Sequence, residues 1–112
     1  MKDNLNTSLL LDFYGNLLTE KQRDALDMHY NMDLSLGEIA ENIGVTRQCV
    51  RDFIKKGEER LLNFEENIGM CSYVTLVEIE AENIKKATEN IDEEIKEKIN
   101  KSLSAIVGSM EL

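Results

Sequence analysis

The stretch Leu36-Gly-Glu-Ile-Ala-Glu-Asn-Ile-Gly-Val-Thr-Arg-Gln-Cys-Val-Arg-Asp-Phe-Ile-Lys55 decides how this chain folds. Its residue types answer a mechanical problem. Two short helices that cross steeply need a small residue where their backbones approach, and Ala40 supplies it. The turn between them needs a residue that accepts positive φ, and Gly44 follows four positions later. Ile39, Ile43, Val45, Val50 and Phe53 are spaced to fill the small core between the helices. Ser35 and Glu38 form an S-x-x-E capping box before the first helix, and Thr46 stands where it can cap the second. The spacing predicts a helix-turn-helix.

Working outward, Leu9, Leu10, Phe13, Leu17 and Leu18 recur at helical intervals and predict an amphipathic helix over residues 7–18. Thr19 and Gln22 make a T-x-x-Q box ahead of a helix over 20–32 that buries Ala25, Leu26 and Tyr30. The helix that follows Thr46 should run over 47–67, with Val50, Phe53, Ile54, Leu61, Leu62 and Phe64 apolar and Gly69 ending it. Beyond Gly69 an apolar series, Leu76, Ile79, Ile84, Ala87, Ile91, Ile95, Ile99, Leu103 and Ile106, runs between faces of Glu and Lys. It predicts one long helix or two, with a break near 90–92 where Asp92 can cap a second piece. The expected fold is all-α: a helix-turn-helix domain of about four helices over 1–68 and a C-terminal helical extension over 69–112.

Composition narrows the function. The 112 residues are 42% hydrophobic and contain no proline, which suits packed helices. The net charge of −9 argues against coating nucleic acid or an anionic membrane with the whole surface. No run approaches the roughly 20 apolar residues that span a bilayer. Residues 1–7 lack the basic start and apolar run of a signal peptide, and Cys49 and Cys71 form no spacing motif. A reduced, cytoplasmic protein is expected. His29 is the single histidine and no glycine-rich phosphate loop occurs, so no metal, no cofactor and no enzymatic activity are expected. A catalytic Cys49 would need His29 brought beside it as a base.

Removing the apolar positions from the second helix of the motif leaves Thr46, Arg47, Gln48, Arg51, Asp52, Lys55 and Lys56 pointing outward. Residues 43–56 carry four basic side chains and one acidic, a local +3 within a chain of −9. Arginine pairs bidentately with guanine, glutamine with adenine, and threonine and lysine suit phosphates. Thr46, Arg47, Gln48, Arg51, Lys55 and Lys56 are therefore the expected nucleic-acid site, for DNA or RNA. The alternative is an ordinary solvated face with pairs such as Asp52–Lys56. The chain would then be an acidic adaptor whose C-terminal helices engage a basic protein.

Residues 10–70 resemble the YlxM family of small bacterial helix-turn-helix proteins. The resemblance is carried by Asp12-Phe-Tyr, Leu18-Thr-Glu-Lys-Gln-Arg23, Tyr30, Ser35-Leu-Gly-Glu-Ile-Ala-Glu41, and Arg47-Gln followed by Val50. It implies a cytoplasmic protein encoded beside genes of the signal recognition particle pathway and regulating that pathway. The same region is similar to the promoter-reading part of sigma factors, whose other domains a chain of this length has no room for.

The extension raises the question of assembly. Residues 69–112 hold five basic and nine acidic side chains along an apolar series that must be buried somewhere. A homodimer seamed by Ile91, Ile95, Ile99 and Leu103 would bury it and double the basic patch.

Overall fold

The computed structural model describes residues 4–108 as helices and short connections, with no strand among them, and the chain is all-α. Helix α1 spans Asn4–Tyr14 and gives way to a 3-10 turn, Gly15–Leu17. The single helix expected over 7–18 is therefore corrected. Leu18 takes an extended conformation (φ −85°, ψ 163°) so that Thr19 can cap the next helix, and Leu17 is 52% exposed. Apolar periodicity ran past the true end because it does not register the backbone change a cap requires.

Helix α2, Glu20–Tyr30, begins with the expected box: the Gln22 N–H donates to Thr19 Oγ1 at 3.2 Å and the Thr19 N–H donates to Gln22 Oε1 at 3.3 Å. It stops two residues short of Met32, as the chain turns through Asp33 at φ 53°. Helix α3, Leu36–Ile43, has its Ser35–Glu38 box intact and ends on Gly44 at φ 72°, ψ 39°. Helix α4, Arg47–Ile68, is capped by Thr46 Oγ1, which accepts from the Cys49 N–H at 3.1 Å, and ends on Gly69 at φ 68°.

α4 is the spine against which α1, α2 and α3 pack. Ala25, Leu26, Ile39, Val50 and Leu61 are fully buried and form the centre of the core. Each large side chain among them contributes about 1.5–3 kcal/mol by leaving water. Ile39 and Val50 fill the space between α3 and α4 as expected, whereas Ile43, Val45 and Phe53 are half-buried at its rim. Two tyrosines tie the outer helices to the spine. The Tyr14 hydroxyl donates to Glu65 Oε1 at 2.6 Å and the Tyr30 hydroxyl donates to Glu58.

The chain divides into two compact units at Gly69/Met70. In the second, α5 (Met70–Ala87) packs with α6 (Glu93–Gly108), and the connection lies where a break was expected. The Lys96 N–H donates to the carbonyl of Asp92 as the new helix begins. Cys71, Val74 and Ala81 of α5 and Leu103 of α6 are buried, while Tyr73, Leu76, Ile79, Ile95 and Ile106 remain exposed. No helix among the described residues is long and apolar enough to cross a membrane.

Candidate nucleic-acid interface

The face of α4 opposite the core is set by one arithmetic fact, the 3.6-residue turn. Val50, Ile54, Gly57 and Leu61 point into the core, which turns Arg47, Arg51 and Lys55 outward as one row at i, i+4 and i+8. Gln48, Asp52 and Lys56 form the neighbouring row by the same spacing. All six are exposed, and Thr46 caps the helix at their head. The structure thus brings Thr46, Arg47, Gln48, Arg51, Lys55 and Lys56 together on the first three turns of one helix.

Their partners are informative. Arg47, Arg51, Lys55 and Lys56 form no hydrogen bond or ion pair with any described residue, although acids outnumber bases in the chain by 22 to 13. The suggested Asp52–Lys56 pair is not formed; Asp52 instead accepts a long contact, 3.4 Å, from Gln48 Nε2. Thr46 spends one lone pair of its hydroxyl on the Cys49 N–H and keeps its O–H to donate. Four cations left unpaired on one face can exchange their water for phosphate oxygens or base edges without first breaking a protein contact.

An open cleft of about 490 Å³ lies beside the head of this face, between the starts of α3 and α4. Ser35, Gly37, Glu38, Glu41 and Arg47 line it. Hydrogen bonds from Ser35, the backbone N–H first and the hydroxyl second, hold the Glu38 carboxyl below its ordinary range. That carboxylate belongs to the cap, so it is anchored.

Sequence reasoning missed two residues here. Gly37 lies directly beneath the Arg47 side chain, and a glycine inside a helix carried no signal without the partner in view. Arg60, also on α4, is a structural cation: Nη1 donates to Gln22 Oε1 and Nη2 to the Leu17 carbonyl, both at 3.0 Å, and its guanidinium sits over the Phe64 ring. Elsewhere, His29 packs edge-on against Tyr30, and neither Cys49 nor Cys71 is in a disulfide. No group of three or more His, Cys, Asp or Glu among the described residues could hold a metal ion. Of the proposed dimer seam, Ile91 and Ile95 are exposed, Ile99 is half-buried, and Leu103 is buried within the chain itself.

With this geometry in hand, comparison with known families is direct. Residues 1–105 match the UPF0122 description, helix-turn-helix protein, YlxM / p13 like. The chain belongs to the UPF0122 family. The match extends beyond the residues that carried the sequence resemblance and takes in α5 and all but the last three residues of α6. A UPF0122 protein of Desulforamulus reducens is 50% identical over 72 residues, 64% of this chain and 62% of the relative. One from Clostridium kluyveri is 49% identical over 70 residues, 62% of this chain and 63% of the relative. The chain therefore spans a little under two thirds of those two relatives. A UPF0122 protein of Clostridium perfringens strain 13 is 37% identical over 114 residues, covering 97% of this chain and the whole relative.

Proposed function

We propose that this protein is a regulatory or accessory factor that binds nucleic acid, DNA or RNA, through the exposed face of α4, and that it acts in the cytoplasm within the signal recognition particle pathway. The row Arg47, Arg51 and Lys55 carries the reading: three cations one helical turn apart, unpaired among the described residues, in a chain of net charge −9. In the proposed mode Arg47, Gln48 and Arg51 reach base edges while Thr46, Lys55 and Lys56 hold phosphates. The pathway rests on the resemblance to the YlxM family. Two copies joined through the C-terminal unit would present two such faces, and paired half-sites about 34 Å apart would raise a weak single contact to a useful affinity.

Fluorescence anisotropy with a labelled DNA duplex and a labelled hairpin RNA tests this. If side chains neutralise phosphates, log affinity falls linearly with log salt at a slope of about −0.9 per duplex phosphate contacted. Absence of salt-dependent binding to both probes sinks the reading. One observation favours the acidic-adaptor alternative: Tyr73, Leu76 and Ile79 lie exposed on α5 among Glu78, Glu80 and Glu82. That reading expects binding to a basic amphipathic peptide and indifference to nucleic acid.

A further inference from the structure

The structure assigns a positioning role to Gly37, the second residue of α3: its missing side chain lets the guanidinium of Arg47 fold back from the start of α4 and rest on the first turn of α3. A Cβ at Gly37 would meet Arg47 Nη2 at 3.1 Å, Nε at 3.2 Å and Cζ at 3.4 Å. These are the three nearest atoms to that position, and all belong to one guanidinium. They lie a few tenths of an ångström inside the roughly 3.5–4.0 Å at which nonbonded atoms attract, so a methyl group there obliges this guanidinium to shift.

Gly44, Gly57 and Gly69 have different causes. Gly44 and Gly69 sit at positive φ with open space where a side chain would go, and Gly57 is pressed by Leu26. Gly37 has neither reason. Its φ is not positive, and glycine weakens a helix relative to alanine. What it does admit is the longest side chain at the head of the basic row.

The consequence concerns preorganisation. Glu38 and Glu41 line the same cleft, yet neither forms an ion pair with Arg47 among the described residues. Contact with the backbone at Gly37 restricts the side chain while all five N–H donors stay free for a ligand. A side chain already restricted loses less freedom on binding, so Arg47 holds an advantage that Arg51, one turn further along, lacks. The functional consequence rests on the nucleic-acid reading above; the contact itself does not.

The test uses Gly37→Ala, Arg47→Ala and the double variant of the full chain, with the same labelled duplex and RNA as probes. Gly37→Ala should keep or raise Tm, because alanine is the better helix former. The Arg47 Nε–Hε resonance should move toward the position of a free side chain in Gly37→Ala. Affinity should fall about fivefold or more in that variant, the low end of what one bidentate contact is worth. In the Arg47→Ala background, Gly37→Ala should change affinity by less than about twofold, since both substitutions remove one interaction. An unmoved Arg47 resonance, or independent losses that add in the double variant, overturns the assignment. If the wild type binds neither probe but the resonance moves, the positioning role stands and the nucleic-acid reading falls.

Discussion

The Cβ that Gly57 lacks would stand 2.7 Å from Leu26 Cδ1, closer than carbon atoms approach, so a bare backbone on α4 fixes how near α2 can lie. Leu26 is fully buried, so any shift of its side chain presses on the rest of the core. In an open helix Gly→Ala would stabilise by up to about 1 kcal/mol. At position 57 the overlap should reverse the sign, with Gly57→Ala costing about 1–3 kcal/mol through a displaced leucine or a wider crossing. A denaturant melt with an unchanged or raised midpoint would show that the contact relaxes freely.

Gly44 tests strain without a clash, since nothing lies within 4 Å of where its Cβ would be and only its φ of 72° resists a side chain. Gly44→Val should therefore destabilise by about 1–3 kcal/mol. Gly44→Asn should cost clearly less, because asparagine visits the left-handed region more readily. Equal losses in both variants would point away from backbone strain.

The Arg47 and Arg51 side chains are exposed and outside the core, so changing both to Ala should remove nucleic-acid binding and leave helicity and melting nearly unchanged. Circular dichroism and the anisotropy titration read the two effects separately. Wild-type affinity in the double variant would dismiss the α4 face as the site.

Glu38 makes a pH prediction. Its folded pKa is held below the ordinary 4.5 by hydrogen bonds from Ser35, so its stabilising contribution is fully present above the unfolded value and fades as pH falls through the lower folded one. The stability gap between wild type and Glu38→Ala, which keeps the Ser35 hydroxyl, should thus be wider at pH 7 than at pH 3. A gap that does not narrow in acid would mean the cap acts through the serine hydroxyl alone.

Assembly is open to direct weighing. A homodimer through the C-terminal unit should sediment at twice 12.8 kDa at micromolar concentration, and Ile95→Asp, at a side chain 52% exposed, should shift it to monomer without unfolding the chain. A wild-type monomer at those concentrations ends the dimer proposal.

The sequence by itself determined the caps, the turns and the helix-turn-helix. Thr19–Gln22, Ser35–Glu38, Thr46, Gly44 and Gly69 act over three or four residues, and local hydrogen bonds and φ preferences need no partner from elsewhere in the chain. It also determined which way the basic row faces, because the spacing of Val50, Ile54 and Leu61 fixes the opposite side of α4. Tertiary structure decided what periodicity cannot carry. Leu17 continues the apolar pattern yet lies exposed, because the chain changes conformation to meet its cap. Gly57 and Gly37 read alike as helical glycines; one is pressed by Leu26 and the other lies under Arg47, and a residue defined by having no side chain takes its meaning from whatever occupies the space.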